Sequence, residues 1–343
     1  MAYTTIKKPS DYFNTKLYTG NGSTQSITGV GFQPDLIWTK GRSVAENHNA
    51  YDIVRGAGER LIPNGTNAET TQTDTQTSFD SDGFTLGLNA EINGSGATYA
   101  SWNWLADNTS GSSNTDGSIT STVSVNTTSG FSIVKYTGTG SPLTCGHGLG
   151  VAPKVIITKG LDVSNAWLIY TEMTGNDKYL RLDLTNAVSG SSIDYWNNTS
   201  PTSSVFSIGT TDANNNNGGE NIAYCFAEVK GFSKFGLYTS NANVDGPFTY
   251  TGFKPAFVMI KSASLNESWF MYDTKRSTYN VVENFLFANS NSAEQTSTAN
   301  SVDILSNGFK IRTTDSRLNS SGSYIYMAFA EEPLVGDNPA TAR

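Results

Sequence analysis

Charge, histidine and cysteine are all scarce in this chain of 343 residues: charged side chains make up 15%, and histidine and cysteine occur twice each. Two cysteines are too few for a disulfide framework, and Cys145 and Cys225 lack metal-ligand spacing. Cys225 lies in the apolar run Ile222–Ala227 and reads as a buried thiol, whereas Cys145 falls in a Gly-rich turn; the spacing leaves open both a bridge and two free thiols. His48 sits in a polar stretch and His147 in the turn Gly146-His-Gly-Leu-Gly150, neither with the orienting partner that a Ser-His-Asp triad requires. The net charge is −8, and Lys7-Lys8 is the nearest thing to a basic cluster, which argues against a nucleic-acid partner. No apolar run approaches the roughly 18 residues of a membrane span. The N-terminal residues lack the apolar region of a secretory signal, so the chain is expected to be made in the cytoplasm and to leave it only on a carrier.

What the chain has instead is Asn, Ser, Thr and Gly, with 17 Phe, 16 Tyr and 6 Trp as core material. These residues are arranged as an internal repeat. Tyr18-Thr-Gly, Tyr136-Thr-Gly and Tyr238-Thr-Ser open three comparable stretches. Each is followed by a proline-to-lysine run: Pro34-Asp-Leu-Ile-Trp-Thr-Lys40, Pro153-Lys-Val-Ile-Ile-Thr-Lys159 and Pro255-Ala-Phe-Val-Met-Ile-Lys261. An aromatic patch comes next, around Tyr51, Trp167–Tyr170 and Trp269–Tyr272. Then come Gly83-Phe-Thr-Leu, Val205-Phe-Ser-Ile and Gly308-Phe-Lys-Ile, and the closing aromatic runs Trp102–Trp104, Tyr224–Phe226 and Met327–Phe329. A period above 100 residues exceeds that of a solenoid and suits whole domains strung like beads. The boundaries read as repeat 1 over 1–106, a Ser/Thr/Asn/Gly-rich linker over 107–130, repeat 2 over 131–229, repeat 3 over 230–332 and a tail over 333–343.

The pattern predicts an all-β chain of three tandem β-sandwich domains, jelly-roll-like. Phe131–Tyr136 alternates, Leu36-Ile-Trp38, Val155-Ile-Ile157 and Phe257–Ile260 suit strands buried on both faces, and Asp82-Gly83 and Asn307-Gly308 are turn signals. Each lysine ending a central run is expected to lay its methylenes on the core and hold its ammonium in water. Short helices are expected around Ala57–Leu61 and Thr278–Phe287.

Candidate chemistry is thin. Asp80-Ser-Asp-Gly83 and Asp212–Glu220 resemble pieces of a calcium loop without its full pattern, and both read as turns. Glu228 and Glu331 recur at closing strands, but nothing acidic stands beside Leu105 in repeat 1, and no facing pair for glycan hydrolysis is visible. Gly138-Thr-Gly140 and Gly146–Gly150 have no helix after them to cradle phosphate. Trp38, Trp102, Trp104, Trp167, Trp269, Tyr170 and Tyr272 invite a sugar-stacking reading, but recurrence at fixed strand positions favours a core. No catalytic, metal or cofactor residue is assigned, and no cofactor is expected. The stretches at Asn93, Asn214–Asn217 and Asn319 read as hairpin tips free to meet a ligand.

The phrases Lys16-Leu-Tyr-Thr-Gly-Asn-Gly-Ser-Thr-Gln25, Gly31-Phe-Gln-Pro-Asp-Leu-Ile-Trp38, Gly146-His-Gly-Leu-Gly-Val-Ala-Pro-Lys154, Ala223-Tyr-Cys-Phe-Ala-Glu228 and Tyr324-Ile-Tyr-Met-Ala-Phe-Ala-Glu331 resemble a repeated β-domain of unknown function in structural proteins of tailed phages, especially marine ones. The resemblance runs from about Tyr12 to Glu332 and carries no catalytic residues. It implies a non-enzymatic protein on the exterior of the virion: a tail fibre or tail-tip adhesin in host attachment, or, as the alternative, a capsid decoration or head-fibre protein. A glycan depolymerase is the reading from the enzyme class. The partners implied are other tail or capsid proteins and a host surface glycan or receptor, with no membrane insertion and a homo-oligomer, a trimer, as the expected assembly.

Overall fold

The computed structural model describes residues 4–336 and 339–341. The chain is all-β, with only single-turn helices among the described residues. Each repeat builds a larger antiparallel sheet whose strands have one spatial order. In repeat 1 it is Phe13–Thr19, Thr98–Trp104, Leu36–Gly41 and Asn49–Asp52. In repeat 2 it is Phe131–Thr137, Glu220–Phe226, Val155–Gly160 and Leu168–Thr171, and in repeat 3 Ser233–Thr239, Ser323–Pro333, Phe253–Ser262 and Phe270–Asp273. The closing strand always lies between the opening and the central one. Register fixes the correspondence residue by residue: Leu36 faces Trp104, Val155 faces Phe226 and Phe257 faces Phe329.

The apolar runs of the central strands have a simple physical origin. Alternate side chains leave opposite faces of a strand, and both faces are covered. Ile37, Ile156, Val258 and Ile260 point into cores proper to their own repeats. Those cores are closed by smaller sheets: Gln25–Thr28 with Gly83–Leu86 and Gln76–Asp80, Leu143–Gly146 with Val205–Ile208, and Phe248–Tyr250 with Gly308–Ile311 and Val302–Leu305. Leu36, Trp38, Val155, Ile157, Phe257 and Met259 leave by the other face and join one core shared by all three repeats. A closed apolar cavity of about 30 Å³ remains where they meet, with Trp38, Ile157 and Met259 in its wall. A space of that size and lining stays dry.

The repeats are therefore not separate beads, and the contacts at their seams run in a cycle. The Trp167 indole N–H donates to the Ile62 carbonyl at 2.9 Å, the Trp269 indole to the Arg181 carbonyl at 2.9 Å, and the His48 ring meets the Phe287 carbonyl at 3.0 Å. By register these are equivalent donors and equivalent acceptors. A second set closes in the same sense. The Glu69 amide donates to the Leu161 carbonyl, Val188 to Ala263 and Glu294 to Arg42, at 2.8, 3.1 and 2.8 Å. Repeat 1 grips repeat 2, repeat 2 grips repeat 3, and repeat 3 returns to repeat 1.

Three expectations need correction. The stretch 107–130 is not a linker: Ser121–Asn126 pairs along its length with Phe131–Thr137, and Ser112–Asn114 pairs with it in turn. Its Ser, Thr and Val content supports a strand as readily as a loop, and Asp35 accepts the N–H groups of Ala106 and Asn108, which fixes the entry. Neither expected helix forms. Glu59–Arg60 and Asn284–Phe287 are strands, because their apolar side chains serve the sheet cores rather than a helical stripe. In the tail, the closing strand runs to Pro333 and Ala340 bonds back to the Pro333 carbonyl, while 337–338 and 342–343 lie outside the described residues.

A shared core makes one cooperative unit. Calorimetry on the whole chain should show a single unfolding transition, and repeat 2 expressed alone as 131–229 should lack near-UV circular dichroism and bind a hydrophobic dye. Three transitions, or a folded isolated repeat, would contradict the shared core.

Candidate functional site

The Asn-rich tips are structural pins, not ligand loops. Asn93, Asn215 and Asn319 are each fully buried on single-turn helices. The side-chain amide of Asn93 donates to the carbonyls of Ser23 and Gly87, that of Asn215 to Ser141 and Gly209, and that of Asn319 to Asn243 and Thr313. Their carbonyl oxygens accept the N–H groups of Asn21, Thr139 and Asn241. The tyrosines of the opening strands complete the pin: the hydroxyls of Tyr18, Tyr136 and Tyr238 donate to the carbonyls of Ile92, Asn214 and Leu318 at 2.7–2.8 Å. Each unit ties the loop after the opening strand to the turn before the closing one. Asn217 is exposed, but its buried neighbours hold the loop. Replacing Asn319 by alanine strands several buried groups and should cost about 3 kcal/mol, measured as a fall in the urea midpoint; a loss below about 0.5 kcal/mol would mean a free tip.

The three lysines are also misplaced by sequence reasoning. Lys40, Lys159 and Lys261 are fully buried. Each ammonium donates to the next residue's carbonyl, Gly41, Gly160 or Ser262, at 2.8–2.9 Å and to the carbonyl four residues on, Val44, Val163 or Leu265, at 2.9–3.3 Å. The reason is the turn after each central strand, which curls its carbonyls over the strand end so that the ammonium finds acceptors without reaching water. Burial pushes all three down to about 8. The unfolded chain holds these protons to about pH 10.4, so it binds more protons than the folded chain above pH 8 and stability rises with pH there. Between pH 8 and 9, before cysteine and tyrosine ionisation in the unfolded chain opposes it, the urea-derived stability should rise by on the order of 2 kcal/mol. Replacing the three lysines by methionine should flatten that slope.

The other singled-out groups are occupied structurally. His48 and His147 are buried, and burial lowers both imidazoles below their usual range. His48 Nδ1 accepts the Trp38 indole N–H at 2.8 Å, and His147 Nδ1 accepts the Leu149 amide at 3.2 Å, so both rings carry their proton on Nε2. Cys145 and Cys225 are free buried thiols. Cys145 lies in the strand Leu143–Gly146 rather than in a loose turn, and burial pushes it up to about 12. Trp38, Trp102, Trp104, Trp167, Trp269, Tyr170 and Tyr272 all lie in buried cores. Glu228 pairs with Lys234 and Glu331 with Lys254. Asp80 accepts the hydroxyls of Ser78 and Thr85, Asp82 accepts the amides of Gly29 and Gly31, and Glu220 pairs with Lys135. Among the described residues, no three His, Cys, Asp or Glu side chains come together as metal ligands.

What distinguishes one repeat from the others is the outward face of its smaller sheet. Register makes Ser26 and Thr85, Thr144 and Ser207, and Phe248 and Lys310 equivalent pairs. Repeats 1 and 2 place hydroxyls there; in repeat 2 the Ser118 amide also donates to the Thr144 carbonyl, so the chain itself covers that edge. Repeat 3 places Phe248 and Tyr250, 45% and 54% exposed. Beyond the strand Val302–Leu305, Val282 pairs with Val302 and Asn280 with Ile304, which brings Tyr279 and Val281, 79% and 43% exposed, to the far margin. Between these margins run Lys310, Asp303, Arg312 and Asp245, joined in ion pairs. Sequence reasoning missed this face. The signal was available: aligned repeats put Phe248-Thr-Tyr250 where the others carry Ser26 and Thr144.

A domain family of unknown function, DUF7483, matches residues 8–333. The chain belongs to that family. The match runs through all three repeats as one unit. No curated protein and no solved structure matches the chain.

Proposed function

We propose that this protein is a non-enzymatic structural component on the exterior of a phage particle, a tail-fibre or tail-tip adhesin that meets the host through the outward face of repeat 3. The observation that carries the reading is the exposed aromatic and charged face of one repeat, set against hydroxyl-bearing equivalents in the other two. Flat rings beside paired charges suit a host surface glycan or a receptor displaying one, because rings stack on the apolar faces of sugars while charged groups bond the hydroxyls. In this reading each repeat is a two-sheet, jelly-roll-like sandwich, and the three form one compact knob attached to other virion proteins. The burial of both histidines and the pairing of Glu228 and Glu331 leave the depolymerase reading without a constellation. Arrayed copies on a particle would add weak contacts into firm attachment.

Recombinant protein should bind permissive host cells. Phe248→Ser, Tyr250→Ser and Tyr279→Ser together should abolish binding while leaving the unfolding midpoint within about 0.5 kcal/mol of the parent, as surface changes do. Equal binding by the triple variant would remove this face from the reading. Antibody label on capsids rather than tails would replace adhesion with decoration.

A further inference from the structure

The three seams of the ring are equivalent in backbone but not in chemistry. Repeats 1 and 2, and repeats 2 and 3, are joined by the chain itself. The seam between repeats 3 and 1 has no covalent connection. It is also the seam whose clasp is a histidine: where Trp167 and Trp269 donate an indole N–H, His48 donates Nε2–H to the Phe287 carbonyl. An indole cannot take up a proton at Nε1, and an imidazole can take one at Nδ1.

We propose that this seam opens on acidification, with protonation of the His48 imidazole as the trigger. The ring is fully buried, and Nδ1 is the acceptor of the Trp38 indole N–H at 2.8 Å. A second proton would set two N–H donors against each other in a site closed to water, and an unpaired buried cation would remain. The surrounding charge adds to the cost. Lys40 on the central strand and Arg276 behind the strand Phe270–Asp273 both disfavour a cation on His48. The negative groups near them are already engaged: Glu294 pairs with Arg42 and Arg276, Asp273 pairs with Arg276, and Glu46 faces Lys40. The main chain of Phe287 and Ser290 favours the proton but does not outweigh burial. The sign follows. An imidazole held below its ordinary 6.5 contributes stability that is complete above that pH and is lost as pH falls toward the folded value. Opening the seam releases this cost, because it is the one place where two repeats can part without breaking the chain.

The three equivalent clasp amides provide an internally controlled test. Hydrogen exchange followed by mass spectrometry, in one sample of the whole chain, should show peptides containing Glu69, Val188 and Glu294 similarly protected at pH 7. At pH 4.5 the Glu294 peptide should exchange at least tenfold faster than the other two, after correction for intrinsic rates. Loss at all three together, or at none, would overturn the proposal. Trp38→Ile with His48→Trp transplants the pair found in repeat 2, Ile157 and Trp167, and should hold the Glu294 ratio at its neutral value. Should that variant not fold, imidazole NMR on the parent chain decides the trigger: a His48 ring that stays neutral after the seam has opened would overturn it.

Discussion

Closure of the ring rests on one kind of bond, an aromatic ring N–H donated across a seam to a strand-end carbonyl. Trp167, Trp269 and His48 make it at three equivalent places. Its net energy is modest, about 1 kcal/mol for a bond of this type. Its importance is geometric: it sets each repeat's larger sheet at the angle from which Trp38, Ile157 and Met259 reach the common centre. Separated repeats would expose that apolar face to water, and apolar burial is the dominant favourable term in folding.

The second repeat departs from the other two in a coordinated way. Asp52 and Asp273 each pair with an arginine three residues on, buried completely, and Glu69 and Glu294 support those arginines. The equivalents in repeat 2 are Thr171, Thr174 and Val188, none of them charged. Across the seams, the Tyr224 hydroxyl donates to Asp52 and the Trp102 indole donates to Asp273. The residue in register with Tyr224 and Trp102 in repeat 3 is Met327, which has no proton to donate. Donors therefore stand only where a buried carboxylate awaits them. Breaking either partnership would leave an unpaired charge in the core, a larger penalty than the net gain of forming it.

The outward surfaces are free of that constraint, and there the repeats diverge most. Repeat 2 folds its own preceding segment over the edge of Leu143–Gly146, with Gly117 allowing close approach to the Thr144 carbonyl. Repeat 1 covers the corresponding face with hydroxyls, Ser26 bonding Thr85 and Thr85 bonding Asp80. Repeat 3 leaves rings and charges facing solvent. Within one shared scaffold, differences of this kind are where a specific contact has room to arise.

The sequence by itself determined that the chain is all-β, that it is built of three related stretches and where their strands lie, because strand period, turn dipeptides and the spacing of anchors are local properties. It also carried, unread, the odd pair Phe248 and Tyr250 in the third stretch. The tertiary structure decided the rest. A run such as Leu36-Ile-Trp38 has the same sequence whether its second face meets a private layer or a centre shared with two other repeats, so beads and ring are indistinguishable before packing. A lysine at a strand end has the same methylenes in either environment; carbonyls curled back from Val44, Val163 and Leu265 decided that its ammonium stays inside. Asn93, Asn215 and Asn319 look like tips because Asn is a turn residue, and became pins because each found distant main-chain partners with all of its polar atoms. Only the approach of the two chain-distant repeats, 1 and 3, gave His48 its carbonyl, its tautomer and its place at the open seam.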